Sequence, residues 1–303
     1  MTMPVSIATR SIRMHHVCSG SGDPVLFLHG MPTSCHLWDR VVHQLCGHFT
    51  CIAVDLPGMG RSSGLPQGLR ELDALVDALE ALRIERGIER WHVVGHDAGC
   101  AIGVMYAHRH PHRVRRLALL TPSIFPDLKP FYLFECLRKP FVGELMAPAI
   151  NLLFWKLVMR LALEEDEDTG HDRDEIVRDF HAPFQGIAGA WRLMSLLRWG
   201  DPAEVLASMP QRLTELLVPT LIFHGKRDAA VPAAFATRAA SLIPESEVIM
   251  LDSGHFLPMS EAATVARELL RFLSAGCRPA GMPTSEQGPG LPHPAVVPQL
   301  AGS

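Results

Sequence analysis

Tyrosine occurs only twice in these 303 residues, at Tyr106 and Tyr132, and no stretch is long and apolar enough to suggest a membrane-spanning helix. The most apolar run, 147–163, is interrupted by Pro148, Asn151, Lys156 and Arg160, whereas a span needs about 20 consecutive apolar residues. Positive charge is not in excess either: 28 Lys and Arg stand against 32 Asp and Glu. The arginines are scattered, so neither nucleic acid nor a membrane is expected as a partner. The seven cysteines (Cys18, Cys35, Cys46, Cys51, Cys100, Cys136 and Cys277) include no C-x-x-C pair and are odd in number. They read as free thiols in a reducing, cytoplasmic compartment. No Cys/His set has metal-ligand spacing, so no metal is expected. Arg10 and Arg13 have no apolar run behind them, unlike a secretory signal.

Apolar residues make up 48% of the chain, enough for one large core. Six short apolar runs read as strands buried on both faces: 25–28, 51–54, 91–94, 117–120, 220–223 and 247–251. Helical patterns at 69–86, 98–110, 233–242 and 261–273 alternate with them. Such alternation implies an α/β fold with a mostly parallel sheet flanked by helices, and ligands of such sheets bind beyond the carboxyl ends of the strands. Between Pro122 and Pro210 the alternation stops and the pattern is helical. The expected organisation is a core of residues 1–121 and 211–275, a helical cap insertion at 122–210, and a disordered Pro/Gly/Ser-rich tail at 276–303.

Three strand ends carry the chemistry. Gly95-His96-Asp97-Ala98-Gly99 lies between a strand and a helix and has the form G-x-nucleophile-x-G. Small residues on both sides let strand and helix approach, which lifts the central side chain clear of the sheet. The competing reading of Asp97 is a plain helix N-cap. Asp228, after the fifth strand, and His255, after the sixth, decide between the two readings. Nucleophile, acid and histidine then follow in the order this kind of elbow uses. The oxyanion hole is expected from the backbone N–H of Ala98 and of Met31, the latter just after His29-Gly30.

These segments, with His29-Gly30-Met31-Pro32-Thr33-Ser34, Leu37-Trp38 and Asp55-Leu56-Pro57-Gly58-Met59-Gly60-Arg61-Ser62, resemble the α/β-hydrolase superfamily over roughly residues 10–275. The resemblance is to its aspartate-nucleophile branch, which includes haloalkane dehalogenases and epoxide hydrolases. It implies Asp97 as nucleophile, His255 as base and Asp228 as its orienting acid, with no cofactor. The expected partners are a small apolar organic substrate and water.

Two departures bear on the substrate. Haloalkane dehalogenases hold the leaving halide with a Trp directly after the nucleophile and often an Asn after His-Gly. Here Ala98 and Met31 occupy those places, and neither side chain donates a hydrogen bond. Epoxide hydrolases protonate the opening oxygen with two cap tyrosines. Here Tyr106 reads as core, which leaves Tyr132. Trp155, His181, Trp191 and Trp199 are possible substitutes. Leu152, Trp155, Met159 and Leu163 form an apolar stripe at helical spacing, so Trp155 is either substrate contact or cap packing. His29, Trp38, Tyr132 and Trp155 are the candidate substrate-contacting residues. The acidic run 164–168 reads as a solvated loop or helix start. The leading expectation is an epoxide-hydrolase-like enzyme, with a dehalogenase of altered halide contacts second. A cofactor-free oxygenase or other tailoring enzyme and a non-catalytic ligand-binding protein on the same fold remain as alternatives.

Overall fold

In the computed structural model, residues 12–63, 71–129, 132–149, 173–198 and 202–275 are described. The described residues up to Leu273 belong to one compact unit. All six apolar runs are strands: β2 (Asp23–Leu28), β3 (Phe49–Val54), β4 (Trp91–His96), β5 (Val114–Leu120), β6 (Thr220–Gly225) and β7 (Ser246–Leu251). Val25 to Leu28 and all of β4 and β6 are buried, as expected of strands covered on both faces. β1 (His16–Ser19) pairs antiparallel with β3 at the edge of the sheet. Its half-exposed sequence HVCS has no apolar run, so the sequence pattern does not show it.

The sheet order is β1-β3-β2-β4-β5-β6-β7, and every neighbouring pair except β1·β3 is parallel. From β2 the chain steps to β3 on one side, then crosses to β4 on the other. The carboxyl ends of β2 and β4 therefore flank the point where the strand order reverses, the favoured ligand position in such sheets. Helices α1 (Asp39–Leu45), α2 (Glu71–Glu85) and α3 (Ala98–Arg109) connect these strands. α3 packs on β4 and β5.

Among the described residues between 122 and 210, the regular elements are all helices, with no strand. They form α4 (Tyr132–Arg138), α5 (Val142–Ala149), α6 (Arg173–His181), α7 (Gly186–Arg198) and the start of α8 (Pro202–Thr214). α8 runs through Pro210, across the expected boundary, without a break. Its buried Met209 and Leu213 belong to the main core, and the helix packs against α3. The Arg198 guanidinium joins three of these helices. It donates to both oxygens of Glu144 on α5, to the Arg138 carbonyl at the end of α4 and to the Lys139 carbonyl just beyond. Helices α9 (Ala234–Leu242), α10 (Leu257–Ser260) and α11 (Ala262–Ser274) complete the described chain. The stripe from Leu152 to Leu163, Trp199, the acidic run 164–168 and the tail 276–303 lie outside the described residues.

Candidate active site

The turn at Asp97 is set by backbone crowding. A Cβ on Gly95 would meet the Gly99 carbonyl oxygen at 2.6 Å, and one on Gly99 would meet the Leu28 carbonyl oxygen at 2.4 Å. Only hydrogen at both positions lets β4, α3 and the end of β2 come this close. Asp97 between them has φ 49° and ψ −119°, a strained conformation for a non-glycine residue. It stands at the N-cap position of α3 but makes no side-chain capping bond, which removes the plain N-cap reading. Instead, its Oδ2 accepts the backbone N–H of Met31 at 3.1 Å. The side chain is half-buried rather than sealed in packing. Ala98 opens α3, so its N–H has no acceptor in a preceding helical turn.

The other two predicted members meet at the ends of β6 and β7. His255 Nδ1 lies 2.9 Å from Asp228 Oδ2. Asp228 Oδ1 accepts the N–H groups of Ala230 and Val231 at 2.8 and 2.9 Å. Burial of that carboxylate opposes its charge, but His255 and the Val231 N–H outweigh it and hold the Asp228 pKa below the usual range. A charged Asp228 accepts the Nδ1 proton, which leaves Nε2 of neutral His255 as the basic nitrogen.

His29, His96 and His224 end the strands beneath this site and are completely buried. Burial pulls His29 down to about 4 and His96 to about 3, and it also lowers His224. All three are neutral supports near neutral pH. Their placement bears on one expectation, since His29, a candidate substrate contact, is buried with both ring nitrogens bonded inside the fold. Its Nδ1 meets the Gly30 carbonyl at 2.7 Å and its Nε2 accepts the Leu56 N–H at 2.9 Å. The ring spans the turns after β2 and β3. Trp38 is also fully buried, packed on Phe27 at 5.2 Å and edge-on to His96 at 6.4 Å. It is one of the buried residues of the 3-10 turn Cys35–Trp38. Tyr132 opens α4, but its side chain, like all of Trp155, falls outside the described residues. Tyr106 is core, as expected, and its hydroxyl donates to Glu80 at 2.7 Å.

Phe180 is a site-adjacent residue that sequence reasoning did not find. This buried residue near the end of α6 stacks at 6.3 Å on Phe256, next to His255. Its neighbour His181 is also buried. No motif links 180 to 256; only the fold brings them together.

Another grouping invisible in sequence spacing is His15, Cys35 and Asp55, whose ligand-type atoms lie within 4.8 Å of one another. These groups are already committed to each other and to the backbone. Asp55 accepts the N–H of Cys35 at 2.7 Å and of Arg61 at 2.8 Å, and meets His15 Nδ1 at 3.0 Å. Burial, then the Asp55 charge, pushes the Cys35 thiol far above its ordinary pKa. A metal needs the thiolate, so the trio reads as a brace between loops. The six described cysteines are unpaired.

Among curated proteins, the chain is 29% identical to a haloalkane dehalogenase of Agrobacterium fabrum over 87% of this chain and 89% of that one. It is 26% identical to a cis-3-alkyl-4-alkyloxetan-2-one decarboxylase of Shewanella oneidensis, over 86% and 85% of the two chains. Among solved structures, the haloalkane dehalogenase DbeA of Bradyrhizobium elkani superposes with a TM-score of 0.71 at 27% identity, over 88% of this chain and 98% of that one. The family model described as alpha/beta hydrolase fold matches residues 23–262. The chain therefore belongs to the α/β-hydrolase fold family, in its haloalkane-dehalogenase-like branch.

Proposed function

We propose that the protein hydrolyses a small apolar electrophile through a covalent ester on Asp97, and that its preferred substrate carries the leaving group as a strained ring oxygen, as in an epoxide. The observation that carries the covalent reading is the hydrogen bond from Met31 N–H to Asp97 Oδ2. That bond leaves Oδ1 as the oxygen available to attack a saturated carbon. Once Oδ1 is alkylated, Oδ2 becomes the ester carbonyl oxygen, already seated on one oxyanion donor.

In the first step, an Oδ1 electron pair forms the C–O ester bond. The ring C–O bond breaks, and the departing oxygen takes a proton from an acid facing the pocket. In the second step, His255 Nε2 takes a proton from water, and the hydroxide adds to Asp97 Cγ. The negative charge develops on Oδ2, against the N–H of Met31 and of Ala98. On collapse the departing alkoxide takes the proton held by His255 and leaves as the alcohol, the Asp97 carboxyl returns its proton to the acid of the first step, and one water oxygen stays in Asp97. Asp228 holds the imidazole in position and stabilises its positive charge.

The preference for an oxygen leaving group rests on Met31 and Ala98. A departing halide needs N–H donors to spread its charge, and neither side chain has one. A ring oxygen is neutralised by a single proton and stays tethered to the product. His181, beside Phe180, is the candidate proton source among the described residues. The proposed substrate and water are the partners, with the described helices between Tyr132 and Arg198 belonging to the cap and no cofactor taking part.

Dehalogenation is the second reading, favoured by the similarity to two haloalkane dehalogenases. Turnover of 1,2-epoxyhexane and 1-bromobutane, measured side by side in heavy-oxygen water, tests both. Label in the Asp97 peptide supports the covalent route, and an unlabelled carboxylate after many turnovers rules it out. Halide release without diol formation would transfer the preference to the second reading.

A further inference from the structure

The residue before the elbow carboxylate and the backbone of the histidine loop are joined directly. His96 is the last residue of β4 and its side chain is completely buried. Its Nε2 lies 2.9 Å from the main-chain carbonyl oxygen of His255. A carbonyl only accepts, so Nε2 carries the proton. The His96 ring meets the His255 ring edge-on at 4.8 Å, stacks on Phe256 at 6.0 Å and takes the edge of Trp38 at 6.4 Å. Its Nδ1 is buried and has no hydrogen-bond partner. One face of the ring is thus used on the His255–Phe256 segment, and its one donor goes to the carbonyl of the base itself.

We propose that His96 is a positioning residue: its Nε2–H bond to the His255 carbonyl fixes the separation between the Asp97 elbow and the His255 imidazole. The proposal rests on the covalent reading above. Asp97 follows His96 in sequence, so the anchor is one peptide from the attacking group. Without the bond, this link between the elbow and the loop carrying His255 is reduced to the ring packing of His96. Asp97 can still attack, because the elbow glycines and Met31 fix its position. Water activation needs His255 at a set distance from Asp97 Cγ, so the second step is the one that suffers. The neutral ring keeps a second positive charge away from the imidazolium formed in that step, and burial, which pulls His96 down to about 3, keeps it neutral near neutral pH.

The test compares wild type, His96→Phe, His96→Gln and His255→Gln with 1,2-epoxyhexane and 1-bromobutane. Phe keeps an aromatic ring without a donor, and Gln places an amide N–H close to the position of Nε2. Intact mass during turnover reads the alkyl-enzyme, steady-state rates read kcat, and thermal melts confirm folding. In His96→Phe, kcat is expected to fall by about a hundredfold, the cost of a misplacement near 1 Å, while the ester accumulates. His96→Gln should recover most of the rate and lose the accumulated ester. Three results overturn the proposal: a His96→Phe enzyme with wild-type kcat, one that loses ester formation along with turnover, or a Gln variant no better than Phe. If His255→Gln also traps no ester, it is the covalent reading that has failed.

Discussion

Gly30 lies so close to Asp97 that a Cβ on it would stand 2.5 Å from Oδ2 and 2.6 Å from the Asp97 Cβ. Real Cβ atoms do not approach this closely, so Gly30→Ala must displace either the turn that carries Met31 N–H or the carboxylate itself. Turnover is expected to fall by about a hundredfold, in line with the cost of a misplacement near 1 Å. The fold should persist, because the shift is confined to one turn. Paired measurements of kcat and melting temperature check this; unchanged kcat would mean that the Met31–Asp97 contact is idle.

His92 offers a stability prediction with a definite sign. It is buried in β4, neither ring nitrogen has a hydrogen-bond partner, and its ring lies edge-on to Phe49 at 6.1 Å. Burial first, and the nearby Arg115 charge second, pull its pKa down to about 4. An unfolded histidine takes up its proton near 6.5. From pH 6.5 down to 4 the unfolded chain binds a proton that the folded one refuses, so stability falls as the pH drops. This residue contributes about 1.4 kcal/mol per pH unit to that slope. His92→Phe should flatten the slope and raise stability at neutral pH by about 1 kcal/mol, since no buried nitrogen is left unsatisfied. Urea unfolding at pH 7.5 and pH 5 gives both quantities, and an unaltered slope would refute the account.

Leaving-group preference should respond to two substitutions. Met31→Asn and Ala98→Trp together place an amide N–H and an indole N–H next to Asp97. Bromoalkane turnover is expected to rise by about tenfold, the effect of roughly 1.4 kcal/mol of added charge-assisted hydrogen bonding in the transition state. Halide release assays on the single and double variants decide it. No gain in the double variant would mean that halide donors are not what this site lacks.

The sequence exposes the sheet because the strands are buried on both faces and read as plain apolar runs. β1 escapes that logic, since an edge strand with one antiparallel partner can be half-exposed and polar. The elbow and the His255–Asp228 pair were legible because motif and strand end coincide. The inward bonds of His29 are not legible, because a strand-end position does not say on which side of the turn a ring points. The contacts of Phe180 with Phe256, of His96 with the His255 carbonyl, and of His15 and Cys35 with Asp55 span 20 to 159 residues. No local pattern encodes them. The helix across Pro210 is not legible either, because the loss of strand alternation does not mark where a helix ends, while Met209 and Leu213 tie this one to the main core.

Asp55 gathers several of these contacts. It takes N–H groups from Cys35 and Arg61, while His29 takes the N–H of Leu56 from the opposite side. The turn after β2 and the loop after β3 are laced together in both directions, so neither can drift without drawing the other along. The position of the Met31 N–H is therefore inherited in part from a carboxylate buried under another loop. Damage to the second loop would be felt as lost chemistry in the first.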